Sequence, residues 1–169
     1  MTLEQVRGLG DEGAGVVSGL LHAVKLVATD KYRISVSPNS ALPKGVTVEL
    51  TASDSSRLCA SVKMHVAEGA EMIWITIGRG LEFEIPVPVT HAWQPFDLKT
   101  VEAAVEGLAS AAIRGDVNET ATVTGGEVVR SEGTVRIGAN EHSVSVGHGR
   151  PGHKGEPETT RFEYQPYEL

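Results

Sequence analysis

Residues 58–89 read LCASVKMHVAEGAEMIWITIGRGLEFEIPVPV, and their spacing decides the fold. Leu58, Ala60, Val62, Met64 and Val66 alternate with Cys59, Ser61, Lys63 and His65, the period of a strand with one dry and one wet face. Glu68-Gly69-Ala70 interrupts the pattern. Met72 to Ile77 (MIWITI) is then apolar on both faces, which predicts a central strand covered on both sides. After Arg79-Gly80, Leu81, Phe83, Ile85, Val87 and Val89 make a further strand. Pro86 and Pro88 cannot donate to a ladder, so at least its second half belongs at an edge or a bulge. Breaks this short predict hairpins, and hairpins in series predict an antiparallel meander.

The same alternation extends toward the N-terminus. Tyr32, Ile34 and Val36 precede the breaker Pro38-Asn39, and Val46, Val48 and Leu50 follow Pro43 and Gly45. That makes five strands. Ahead of them, Leu3, Val6, Leu9, Val17, Leu20, Leu21, Val24 and Val27 recur near the helical period, predicting a helix from about Asp11 to Ala28 with a looser turn before it. Gly8, Gly10, Gly13 and Gly15 weaken the first part, since glycine costs roughly 1 kcal/mol against alanine within a helix.

Beyond the meander, Asp97 is a candidate N-cap, with Phe96 and Val101 as a hydrophobic staple. Leu98, Val101, Val105, Leu108 and Ala112 share a face, and Gly115 is the stop, so a second helix is expected over 98–114. Strands resume at Thr120–Thr124, turn at Gly125-Gly126 into Glu127–Ser131, and continue through Thr134–Ile137 and Ser143–Val146. Periodicity is lost in GHGRPGHKGEPETTR, so 148–161 is expected as a mobile tail. Phe162, Tyr164 and Tyr167 give its end enough apolar surface to dock on a surface or on a second subunit. The fold class is α+β: an N-terminal helix, a five-stranded antiparallel meander, a second helix and a further antiparallel hairpin or meander. One domain is expected over 1–147, followed by a flexible tail over 148–169.

Composition narrows the function. At 169 residues one ordinary domain is expected, and the core needs neither disulfide nor metal. The net charge is −7, and residues 31–92 carry six basic and six acidic side chains, so no basic footprint for nucleic acid exists. No run of about 18 apolar residues is present, so no membrane partner is expected. Cys59 is the lone cysteine, and the N-terminus carries no signal-like segment; both point to the cytoplasm.

Motifs that carry chemistry are sparse. Gly8-x-Gly10-x-x-Gly13 matches the dinucleotide fingerprint as a string, yet a helical pattern precedes it where a strand is required, and Asp11 and Glu12 would repel a pyrophosphate. No cofactor is expected. Cys59 and His65 share a strand face by parity but stand ~20 Å apart at about 3.3 Å per residue. His142, His148 and His153, with Glu141 and Glu156, are a weak metal set, since their spacing fits no established pattern. Glu82 and Glu84 read as wet-face carboxylates. Ser143 and Ser145 sit in no nucleophile elbow.

The best small-ligand set is His91 and Trp93 at the entrance to the second helix, with Arg79 adding a charge if the fold brings it near. Two readings follow. The first is a non-enzymatic protein-binding module, with a protein partner or a homodimer. Its helix–meander–helix order resembles small bacterial immunity proteins and secretion chaperones in architecture alone. The second is a small-molecule carrier or enzyme with a pocket near the start of the second helix.

Overall fold

The computed structural model describes residues 1–87, 100–148 and 156–167. Among the described residues, three helices, α1 (Leu3–Arg7), α2 (Asp11–Ala23) and α3 (Val101–Arg114), accompany nine strands. The first five are β1 (Tyr32–Asn39), β2 (Gly45–Ala52), β3 (Val62–Ala67), β4 (Met72–Ile77) and β5 (Leu81–Pro86). They form one antiparallel sheet in the order β1-β2-β3-β4-β5, the expected meander. The other four are β6 (Val117–Thr124), β7 (Glu127–Ile137), β8 (Asn140–Gly147) and β9 (Glu158–Glu163), in a second sheet ordered β8-β7-β6-β9. The fold is α+β, with two sheets sharing one core.

That core lies between the first sheet and the helices. Val48, Leu50, Val62, Met64, Ile73, Ile75, Ile77, Leu81 and Ile85 project from one sheet face, toward Val16, Val17 and Leu20 of α2 and Val105 and Leu108 of α3. The two helices also pack on each other, which small residues permit. A Cβ on Gly19 would overlap the Glu102 carbonyl, and one on Gly13 would overlap that of Val6. Three glycines of the nucleotide-like string are therefore placed by helix geometry: Gly8 closes α1, Gly10 opens α2 and Gly13 lets α1 and α2 touch.

Several boundaries differ from the sequence reading. The long N-terminal helix ends at Ala23 and tightens into a 3₁₀ turn over Val24–Leu26. The cap of α3 is Thr100, whose side chain accepts the Ala103 N–H at 3.0 Å, so the helix starts three residues later than expected. Asp97, Phe96 and Leu98 lie outside the described residues. Glu127–Ser131 and Thr134–Ile137 belong to one eleven-residue strand, β7, because Gly133 stays in the ladder opposite Glu119.

Three corrections have larger consequences. Residues 58–61 are not part of β3. Their backbone carbonyls serve other donors, with Leu58 O accepting Gln165 N–H at 2.8 Å and Ser61 O accepting Gly78 N–H at 2.9 Å. The expected tail contains a strand: β9 pairs with β6 from Asn118↔Glu163 to Val123↔Glu158. Its aromatic end docks on the same chain, with Tyr164 and Tyr167 both buried. Finally, β4 is covered on one face only. Ile73, Ile75 and Ile77 enter the core, whereas Trp74 on the opposite face is 36% exposed.

Candidate functional site

The outer face of the first sheet follows from strand parity. Since Val62, Met64, the β4 isoleucines, Leu81, Phe83 and Ile85 point inward, Lys63, His65, Trp74, Thr76, Glu82 and Glu84 point outward. The register sorts them into rows. Thr47, His65, Trp74 and Glu84 face one another across β2 to β5, and Glu49, Lys63, Thr76 and Glu82 form the next row. The neighbouring strands carry the signal that the MIWITI motif conceals. Wet-face residues on β3 and β5 require a wet face on the strand between them.

Each row is internally organised. His65 Nδ1 accepts from the Asn39 amide and from the Thr47 hydroxyl, both at 3.0 Å. The amide nitrogen can only donate, so the ring is the neutral tautomer with its proton on Nε2. Burial, and then the nearby Lys63 charge, hold its pKa below the ordinary histidine value. Lys63 lies 3.8 Å from Glu49. Trp74 is thus flanked by a fixed neutral ring on β3 and by carboxylates on β5.

The face ends where the two sheets meet. The β4–β5 turn, Gly78-Arg79-Gly80, presses against the second sheet, and Gly78 takes the left-handed φ of 66° that the tight turn needs. Behind it Glu119, 1% exposed, accepts the Arg79 N–H at 2.8 Å and the Tyr164 hydroxyl at 2.7 Å, both on Oε2. Among the described residues, Oε1 has no hydrogen-bond partner, and neither does the fully buried Ser131 hydroxyl. The Arg79 guanidinium lies over the Phe162 ring, 5.5 Å from its centre. In front of the turn a cavity of about 330 Å³ opens between Thr76, Glu82, Glu127 and His148. His148 donates from Nε2 to the Gly80 carbonyl at 2.9 Å, and its Nδ1 stands 3.4 Å from Glu82.

The structure therefore brings Arg79 and His148 together, from two different candidate sets, at one cavity. It separates His142, within β8, from His148, just past the end of that strand and six residues on, ~20 Å in extended chain, too far to share an ion. His91, Trp93 and His153 lie outside the described residues. Among the described residues, no group of three His, Cys, Asp or Glu side chains could hold a metal. Cys59 points its thiol to the Pro166 carbonyl at 3.6 Å, while His65 is engaged with β2, so the two do not pair. A second, larger cavity of about 700 Å³ borders the start of α3, between Gly15, Ser18, Glu71, Thr100 and Glu102. None of the described helices is long and apolar enough to cross a membrane.

Comparison with protein-family models, with curated proteins and with solved structures finds no significant match. The functional reading rests on the chain's own chemistry.

Proposed function

We propose that this protein is a non-enzymatic interaction module that docks a protein partner on the outer face of its first sheet. The carrying observation is Trp74, a tryptophan 36% exposed on the outer face of the first sheet, within the row of Thr47, His65 and Glu84 and beside the row of Glu49, Lys63, Thr76 and Glu82. A large aromatic ring costs little conformational entropy to immobilise, and tryptophan is enriched among the residues that dominate interface energetics. The polar rows around it supply the rim that excludes water from such an anchor.

The test is capture with a paired control. Tag-free protein and Trp74→Ala are compared by native mass spectrometry and by pull-down, with circular dichroism as the folding control. A partner, or a second copy of the chain, held by the native protein and lost from folded Trp74→Ala supports the reading. Equal capture by both, or a bare 17.9 kDa species throughout, overturns it. The cavity beside α3 favours a second reading, a small-molecule site there. Added mass of a few hundred daltons on the native monomer would select it.

A further inference from the structure

Trp74 and Thr76 are alternate residues of β4, and their partners on β5 are Glu84 and Glu82. Thr76 and Glu82 in turn form part of the wall of the 330 Å³ cavity at the junction of the sheets. The indole platform and the cavity are therefore successive stations along one strand direction, ~7 Å apart at the rise of a β-strand. An extended peptide laid along β4 and β5 presents its own alternate side chains with the same stride.

Charge selects those side chains. Beside the indole, the β5 flank carries Glu84 opposite and Glu82 diagonally, and the β3 flank carries neutral His65 and a Lys63 matched by Glu49. A guanidinium stacked on an indole with a carboxylate alongside gains both cation–π and ionic attraction. Among the described residues, the cavity wall carries two carboxylates, Glu82 and Glu127, against the single Arg79 cation, whose guanidinium lies over the Phe162 ring, with His148 beside Glu82. The net charge of −7 adds long-range attraction for a basic partner.

We infer that the docked partner is an extended basic segment with two arginines in Arg-x-Arg spacing, one stacked on Trp74 and the next entering the cavity between Glu82 and Glu127. The inference rests on the docking reading above and specifies its occupant.

The experiment is an NMR titration of the full chain with capped peptides: Gly-Arg-Gly-Arg-Gly, its Arg-x-x-Arg counterpart, and the alanine version. The Trp74 indole N–H and the amides of β4, β5 and residues 127–128 are followed. The expected result is saturable binding of the Arg-x-Arg peptide confined to those signals, about tenfold weaker for the altered spacing, a difference of 1.4 kcal/mol. Glu82→Gln and Glu127→Gln, checked for unchanged unfolding midpoints, are each expected to weaken it by a similar factor. Equal affinity for both spacings, shifts spread over the surface, or indifference to both carboxylate variants would overturn the inference. Maltohexaose, an uncharged probe, shifting Trp74 while the arginine peptides do not, would overturn it in favour of a carbohydrate platform. If Trp74→Ala abolishes partner capture and no arginine peptide binds, the docking reading stands and the basic segment falls.

Discussion

Tyr164 donates its hydroxyl proton to Glu119 across 2.7 Å, and both side chains are buried where the two sheets meet. The bond joins the segment after β9 to the middle of β6, and through Glu119 to the Arg79 N–H of the β4–β5 turn. Tyr164→Phe removes one of the two donors to a buried carboxyl without opening a cavity. The expected loss is about 1–3 kcal/mol, the penalty of an under-satisfied buried acceptor. Urea denaturation of the variant beside the native protein measures it; an unchanged midpoint would show that the bond contributes nothing.

Alkaline pH tests the same region from another direction. Burial raises the phenol pKa of both Tyr164 and Tyr167 well above its ordinary value of 10, and the Glu119 bond adds to the effect at Tyr164. The folded state therefore binds these protons more tightly than the unfolded chain does. Their stabilisation is complete below the unfolded phenol pKa and is lost as pH rises beyond it. Of the chain's three tyrosines, these two are expected to ionise only as the protein unfolds. Tyrosinate absorbance and circular dichroism should rise and fall together for that fraction.

Acid acts at the outer face. His65 is held neutral by burial and then by the Lys63 charge, with Glu82 opposing them, while Nδ1 faces the Asn39 amide and the Thr47 hydroxyl. Its pKa is lower folded than unfolded, so stability is full above the unfolded value of about 6.5 and declines as pH falls through the window beneath it. His65→Gln keeps an acceptor and cannot titrate. The variant is expected to lack this component of the acid destabilisation, read as a flatter unfolding midpoint between neutral and mildly acidic buffers.

The C-terminal segment is structural. Tyr167 is 1% exposed, donates its hydroxyl to the Ala60 carbonyl at 2.9 Å and its N–H to the Ile113 carbonyl at 2.8 Å. Tyr167→Ala is expected to cost about 3–5 kcal/mol, as for other buried aromatic truncations, and Tyr167→Phe about 1 kcal/mol. Thermal denaturation of the pair separates packing from the hydrogen bond.

Gly13 tests the crossing of the first two helices. Alanine there would drive a methyl group into the Val6 carbonyl, with Leu9 also in contact. Despite alanine's better helix propensity, Gly13→Ala is expected to destabilise by about 1–3 kcal/mol through overpacking. A gain in stability would mean that α1 moves away freely.

The five-strand meander, the α+β class and the Gly115 stop were legible because period-two and period-3.6 patterns record which side of each element is dry. The strand β9 was not, because in ETTRFE only Phe162 is apolar and faces inward; the strand is held by its backbone ladder to β6. Trp74 was misread for the converse reason. Apolar identity at 72–77 hid a wet face that Lys63 and His65 on one neighbour and Glu82 and Glu84 on the other imply once the register is known. The meeting of Arg79 with His148 could not be seen at all, since it depends on how two sheets abut, and no local period encodes that.

The contact between Tyr167 and Ala60 spans 107 positions of sequence. During synthesis the first sheet and both long helices leave the ribosome before the residues that close their flank, so the Leu58 and Ala60 carbonyls must wait for their donors, Gln165 and Tyr167. Contacts of such sequence separation raise the contact order of the fold and are expected to slow refolding. A chain lacking Gln165 and Tyr167 is expected to leave the Leu58 and Ala60 carbonyls open, a surface that a chaperone or a neighbouring copy could hold.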